Sequence, residues 1–215
     1  RVYTIGDSYG YNIAELTASA ALGAQLPDRK GRSARNAIDN KMNQIALKGD
    51  SQYKLYGMTN HPNVGLTVLS GENWVLPATT AETVKSDLNA MYNAVLLQSN
   101  GVHTPNRMVL PLSLHTAASD KYLANNQGKS ALQAFKDDHP QVEVVQSVEF
   151  ETASSSGGKL AMCGEFNEEN AELEVPMPFK QLNGQERNLE IVVPCYARTA
   201  GAIFHYPLAF TKAEF

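Results

Sequence analysis

Apolar positions recur at helical spacing most clearly between Leu26 and Gly49, in LPDRKGRSARNAIDNKMNQIALKG. Ala34, Ala37, Ile38, Met42, Ile45 and Ala46 fall on one stripe, while Arg32, Arg35, Asp39 and Lys48 point away from it. The spacing predicts a long amphipathic helix over about 27–48. Pro27 suits its first turn, where no amide donor is needed, and Gly49 can close it in the left-handed conformation. Gly31 is the weak point, since glycine costs about 1 kcal/mol relative to alanine inside a helix, and Ser33 is placed to cap a firmer part beyond it. A stripe this narrow and alanine-rich packs close against a flat partner such as a sheet.

The remaining pattern supplies that sheet. Arg1 to Ile5 reads as extended, GDSYGYN as a turn and then an exposed extended segment, and Ile13 to Leu22 as a brief helix. The run from Ser51 to Trp74 contains Gly57, Pro62, Gly65 and Gly71, which predict short strands and loops with Trp74 as an anchor. Thr79-Thr80-Ala81-Glu82 is a capping box before a helix with the stripe Val84, Leu88, Met91 and Val95, ended by Gly101. Met108 to Leu112 is a short apolar strand that Ser113, as a cap, converts into a helix to about Leu123; strand, turn and helix in that order mark an α/β layer. Ser130 caps a helix over Ala131 to Asp138, which Pro140 stops. Val142, Val144, Val145, Val148 and Phe150 predict a strand buried on both faces for part of its length.

Thr152 to Gly158 (TASSSGG) reads as a flexible connection, and the chain beyond it as strands: Lys159 to Phe166, Leu173 to Leu182, Asn188 to Ala197 and Ala202 to Phe210. The early helix and the late strands each lack a partner of the other kind. They therefore pack together, and the helix-rich middle is an insertion between them.

Composition narrows the function. At 215 residues and 43% hydrophobic content the chain can bury a sizeable core. A net charge of -4 argues against nucleic-acid binding by general attraction. The charges are segregated: Asp28 to Lys54 holds seven Lys or Arg against three Asp, and Lys136 to Glu190 four basic against twelve acidic residues. Solvated faces account for any single charge, while the asymmetry predicts that opposite faces of neighbouring copies meet. Cys163 and Cys195 have no metal-ligand spacing and read as buried free thiols of a reducing compartment. No apolar run approaches the roughly 20 residues that span a bilayer. The chain opens on Arg1 and not on Met, which reads as a processed product of a longer precursor.

Candidate chemistry is sparse. Ile5-Gly6-Asp7-Ser8 resembles the nucleophile turn of SGNH-type lipases and esterases, but no histidine has an aspartate three residues before it and no GxND block supplies oxyanion contacts. Ser8 is better read as a turn residue. Ser113, His115 and Asp120 are too close in sequence on a helix start to aim at one another as a triad. Ser154 to Lys159 lacks the frame and following helix of a phosphate loop. Glu168, Glu169, Glu172 and Glu174 lack the alternation and glycine of a calcium loop and read as a solvated turn. Asp137, Asp138 and His139 mark a helix end without forming a metal cluster. The expectation is no catalytic residue, no cofactor and no metal.

The ordered series of GYNIAEL, LPDRKGRSA leading to the IALKGD exit, Gly57, Trp74, TTAETVKSDLNAM and MVLPLSLHTAAS resembles tailed-phage major capsid proteins of the Hong Kong 97 fold. More narrowly it resembles a capsid-related family catalogued as a domain of unknown function. The most specific piece is VPMPFKQLNGQERNLEIVVPCYARTAGAIFHYPLA, with Pro176 to Phe179, Pro194, Arg198, Gly201 and Pro207. The resemblance implies an α+β fold in which a spine helix packs on long antiparallel strands, forming a peripheral (P) domain, with an inserted α/β axial (A) domain. On that template residues 1–17 are a remnant of the extended hairpin (E-loop), 18–78 begin the P domain, 79–157 form the A domain and 158–215 return to P-domain strands. The N-terminal arm and half of the hairpin are missing from such a chain.

The implied function is a structural, non-enzymatic subunit of an icosahedral shell around a viral genome, made in the host cytoplasm and residing in the virion. Its partners are further copies in hexamers and pentamers, then portal, scaffold or decoration proteins, and packaged DNA by non-specific contact. Membranes are not among them. An encapsulin-like compartment shell shares the fold, and a hydrolase using Ser8 is the reading from another class.

Overall fold

A computed structural model describes residues 2–22, 26–70, 73–125 and 128–215. Gly71 of the predicted loop run lies outside the described residues. In chain order the elements are β1 (Tyr3–Asn12), α1 (Ile13–Leu22), α2 (Leu26–Lys48), β2 (Gly65–Leu66), α3 (Ala81–Gln98), β3 (Arg107–Pro111), α4 (Leu112–Asp120), α5 (Ala131–Asp138) and β4 (Glu143–Ser147). The strands that follow are β5 (Leu160–Gly164), β6 (Ala171–Glu174), β7 (Met177–Gln181), β8 (Gln185–Arg187), β9 (Glu190–Thr199), β10 (Gly201–Phe204) and β11 (Phe210–Glu214). The chain divides into unit 1, Arg1–Tyr56 with Leu173–Ile203, and unit 2, Gly57–Glu172 with Phe204–Phe215.

Unit 1 is a helix on a sheet. Its strand order is β1-β9-β7, with β8 also on β9. β1 runs antiparallel to β9 in unbroken register from Tyr3 opposite Thr199 to Asn12 opposite Glu190. GDSYGYN is therefore strand throughout and not the turn its glycines predict, because cross-strand pairing along the whole segment outweighs a local turn preference. α2 lies on this sheet, with Ala34 and Ile38 buried among Tyr11, Val193, Cys195 and Ala197. Ile45 is buried too, but Ala37 is exposed and Met42 and Ala46 are half-buried, so the stripe is narrower than its spacing predicts. The helix also passes unbroken through Gly31 and Ser33, so Ser33 caps nothing. A Cβ on Gly31 would stand 3.3 Å from Tyr9 Oη, so glycine here admits the tyrosine instead of marking a break. Gly49 closes the helix at φ 71°, as expected, its amide donating to the Ile45 carbonyl at 2.9 Å.

Unit 2 is built on a sheet of order β2-β11-β5-β3-β4, in which β3 is parallel to β4 and antiparallel to β5, and β5 is antiparallel to β11. β5 is buried at every residue. Its Ala161 and Cys163 join the core formed with α3, α4 and α5, and the pleat turns Leu160 and Met162 to the other face. β4 is an edge strand ending at Ser147, so Val144 and Val145 are only half-buried and Val148 is exposed; the predicted two-sided burial does not hold there. Phe150 is buried in a separate 3₁₀ turn, Glu149–Thr152.

Val84, Leu88, Met91 and Val95 are fully buried, as the period of α3 predicts. The cap is Thr80, whose Oγ1 accepts from the Thr83 amide at 3.3 Å; Thr79 instead donates to the Asn73 carbonyl, and Glu82 accepts the Ala124 amide. Trp74 is the anchor its type predicts. Its Nε1 donates to Asp87 Oδ2 at 2.9 Å, while Ser70 donates its amide and hydroxyl to Asp87 Oδ1 at 2.9 and 2.7 Å.

α4 stops at Asp120, short of Leu123, and Ser113 is not its cap residue. The Ser113 amide and hydroxyl donate to the Glu151 carboxylate at 2.6 and 2.9 Å, so the cap comes from another element. Ser130 does cap α5, accepting from the Gln133 amide at 3.2 Å. TASSSGG is pinned, with Ser155 donating its amide and hydroxyl to Glu214 at 3.1 and 3.0 Å. Burial pushes the Glu214 carboxyl up, but those hydrogen bonds outweigh it and hold the group below its ordinary range.

Candidate assembly surfaces

Charge follows the structural division. Unit 1 holds eleven Lys or Arg against eight Asp or Glu, a net of +3; unit 2 holds seven against fourteen, a net of -7, and all five histidines. On α2 the side chains of Arg29, Arg32 and Arg35 are exposed. Arg35 pairs with Asp39 one turn on at 3.6 Å, and Lys41 with Asp50 at 3.4 Å. The exposed Arg35 pair is worth about 0–1 kcal/mol, so that cation stays available to a partner. Lys30 is already used: it donates to the Gly10 carbonyl at 2.9 Å and to Glu15 at 2.8 Å, and lies 4.9 Å from the Tyr11 ring centre. That hydrogen bond and the Lys30 charge hold the Glu15 carboxyl below its ordinary range.

On unit 2 an apolar cleft of about 290 Å³ lies between the end of α3 and the turn at Tyr206–Leu208. Two histidines in its lining are each held by a glutamate, His103 Nδ1 to Glu165 Oε2 at 2.7 Å and His205 Nε2 to Glu172 Oε1 at 3.2 Å. A second, open groove of about 700 Å³ along α3 is polar, lined by Glu82, Lys85, Asn89, Asn93 and Asn125 among others.

The residues singled out for chemistry are dispersed. Ser8 is exposed in the middle of β1 opposite Pro194, its amide donating to Asp7 Oδ1 at 2.8 Å, and its unit contains no histidine. Among the described residues no hydrogen bond joins Ser113, His115 and Asp120 to one another. Ser113 is committed to Glu151, and burial, then the charge of Lys136, pushes the His115 imidazole below its usual range. Ser154 to Lys159 leads into β5 and not into a helix. In the acidic run Glu165 and Glu172 turn to separate histidines while Glu168 and Glu169 are exposed; among the described residues no group of three or more metal-ligating side chains converges.

Asp137 pairs with Lys129 at 2.6 Å and Asp138 with Lys85 at 2.7 Å, while His139 stacks on Tyr92 and meets Asn89 Oδ1 at 3.0 Å. Cys163 and Cys195 are buried free thiols, both pushed up by burial, which removes the thiolate that reactivity requires. The two histidine–glutamate pairs escaped sequence reasoning because their members stand 62 and 33 residues apart. The available signal was Tyr206-Pro207-Leu208, bulky residues at a break between strands.

Among the described residues no helix is long and apolar enough to cross a membrane. The sequence matches the major capsid protein family over residues 1–214, and no curated protein matches it. Among solved structures, the capsid of Myoviridae phage XM1 is 17% identical with a TM-score of 0.84, over 99% of this chain and 73% of that one. The capsid of a native GTA particle is 12% identical at a TM-score of 0.65, over 100% and 72%. A virus-like particle from Pyrococcus furiosus is 12% identical at 0.61, over 99% and 77%. Such identities carry the fold alone, which is the Hong Kong 97-like fold that the ordered motifs imply. With a family match over nearly its whole length, the chain belongs to the major capsid protein family, as a structural subunit of a phage-type shell.

Proposed function

We propose that copies of this chain assemble as hexamers and pentamers into an icosahedral shell around a viral genome, with unit 1 as the peripheral domain and unit 2 as the axial domain. The observation that carries this is the arrangement of α2 along β1, β9 and β7 in unit 1, with Gly57–Glu172 of unit 2 inserted between the two segments of that unit. Such tiles need no reaction centre: many weak, repeated contacts give a closed shell its stability. β1 is the returning strand of the extended hairpin. The net charge of -4 leaves packaged DNA to non-specific contact, and portal, scaffold and decoration proteins are the further partners, in a virion assembled in the host cytoplasm.

The +3 and -7 units supply opposite faces through which neighbouring copies attract one another. Arg32→Glu, Arg35→Glu and Lys48→Glu together are expected to slow assembly and flatten its salt dependence, read by light scattering; unchanged assembly would remove the charge account. The direct test is negative-stain microscopy and sedimentation of the intact protein. Closed particles protecting nucleic acid from nuclease are expected. Species no larger than a dimer at micromolar concentration would overturn the shell, and particles filled with protein would favour the encapsulin-like reading, which the match to the Pyrococcus furiosus particle keeps in view. Serine-dependent turnover of a chromogenic ester, absent in Ser8→Ala, would favour the hydrolase.

A further inference from the structure

The cleft of unit 2 is bordered by apolar side chains that fold stability does not use. Val102 is 77% exposed, and Tyr206 and Leu208 56% each. Single exposed apolar residues are ordinary, but three around one hole are a recognition feature.

The surrounding backbone is fixed by polar contacts. Gln98 Nε2 donates to the carbonyls of Leu208 and Phe210 at 2.8 Å each. The Asn170 carbonyl accepts the His205 amide at 2.9 Å and the Tyr206 amide at 3.3 Å. Ser99 Oγ donates to the Val95 carbonyl at 2.7 Å and accepts the His103 amide at 3.2 Å. A hole held in this way is preorganised and loses little entropy on being filled. Its border is acidic, with Glu165 and Glu172 on the two histidines and exposed Glu168 and Glu169 in the turn between. Among the described residues no Lys or Arg lines the hole. An apolar hole with an acidic border selects an apolar group with a cation next to it.

Unit 1 carries that combination on an exposed turn. Asp50 and Leu55 exchange backbone hydrogen bonds of 2.9 Å in both directions, and Ser51, Gln52, Tyr53 and Lys54 beyond them are all exposed. The Tyr53 ring packs on Tyr3 at 5.1 Å between ring centres and remains 46% exposed. Lys54 has φ 55°, a left-handed conformation that side-chain-bearing residues adopt at a cost and that is retained most often where a function uses it.

Building on the shell reading, we infer that the unit 2 cleft is a socket for a second copy of this chain, taking Tyr53 of the neighbour in the apolar hole and the Lys54 ammonium against the Glu165–Glu172 border. The contact is heterologous, one surface meeting a different one, which is the kind that generates rings and shells. A stable interface buries about 800 Å² per partner, so the socket anchors a larger contact.

The test uses the intact protein. Leu208→Asp, at an exposed position, is expected to keep the wild-type circular dichroism spectrum and lower the particle fraction in sedimentation at least ten-fold. Tyr53→Cys and Leu208→Cys chains, mixed and oxidised, are expected to form disulfide-linked pairs during assembly. If wild type fails to assemble, the shell reading falls and the socket with it. If wild type and Leu208→Asp assemble alike, the socket falls and the shell stands. Loss of assembly in Leu208→Asp without the Tyr53→Cys to Leu208→Cys link would assign the cleft another occupant and overturn the inference.

Discussion

The two units use different physics to hold their shape. Unit 1 has a thin apolar layer, in which Ala34, Ala197 and Cys195 let a helix come close to a sheet, and a cross-strand ladder that runs the full length of β1 and β9. Unit 2 has a thick core of Trp74, Phe135, Leu88, Met91, Met108 and Leu110, with a carboxylate fastened inside it. Unit 1 is basic and free of histidine; unit 2 is acidic and contains all five. The contrast teaches that a flat, contact-making body can draw its order from backbone pairing, whereas an inserted body must carry a self-sufficient core.

The largest effect is expected where that core is polar. Asp87 is 1% exposed and accepts from Ser70 and Trp74. Asp87→Ala leaves the buried Trp74 indole N–H without its acceptor and removes both Ser70 hydrogen bonds, and is expected to cost about 3–5 kcal/mol, seen in urea denaturation with early proteolysis within unit 2. Unit 1 should respond less to its own deepest truncation. Ile38→Ala is expected to cost about 2–3 kcal/mol, the low end for such a change, because a thin layer relaxes into the space. Equal losses in the two proteins would end the distinction between thick and thin cores.

The same contrast explains which parts were legible in the sequence. α2 and α3 announced themselves because a 3.6-residue period survives wherever one face is buried, and Val84, Leu88, Met91 and Val95 follow it without exception. The charge segregation was equally plain, but the late strands were only partly so: β7, β8 and β9 join unit 1 as expected, whereas β5 and β11 belong to the sheet of unit 2, and a 3₁₀ turn at Pro207–Ala209 breaks the predicted Ala202 to Phe210 strand. What failed was local chemistry answered by distant partners. The glycines of GDSYGYN predict a turn, but β9, almost two hundred residues on, pairs with every residue of that segment. Ser113 has the composition of a cap, yet Glu151 supplies the capping carboxylate. Val144 and Val145 read as doubly buried because nothing local says that β4 is the last strand of its sheet. The cleft was invisible for the same reason, as its residues come from two segments about a hundred residues apart, joined only by folding.

Acid should separate the units next. Burial pushes the imidazoles of His61 and His115 below their ordinary range, with Lys212 and Lys136 adding to it. His61 Nδ1 also accepts the Asn63 amide at 3.4 Å, which requires the neutral ring. A histidine with a depressed folded value binds its proton more readily unfolded, so stability is intact above the ordinary value of about 6.5 and is lost as pH falls below it toward the folded value. Thermal unfolding between pH 7.5 and 5 should therefore show a decline for unit 2 that His61→Gln with His115→Gln reduces. A slope unchanged by both substitutions would place the acid sensitivity elsewhere.

The smallest effect asks why unit 1 tolerates a glycine inside its longest helix. Gly31→Ala gains up to about 1 kcal/mol of helix propensity. Against that gain the new Cβ would stand 3.3 Å from Tyr9 Oη, and the hydroxyl cannot retreat freely because Gln181 Nε2 donates to it at 2.7 Å. Removing the hydroxyl leaves Tyr9 Cζ as the next neighbour at 3.8 Å, an ordinary contact. Gly31→Ala is therefore expected to be nearly neutral in the wild type and to stabilise by about 0.5–1 kcal/mol in Tyr9→Phe, a coupling that a double-mutant cycle in urea resolves. An equal gain in both backgrounds would mean that the tyrosine does not set the glycine, and that the close approach of α2 to its sheet tolerates more than this geometry allows.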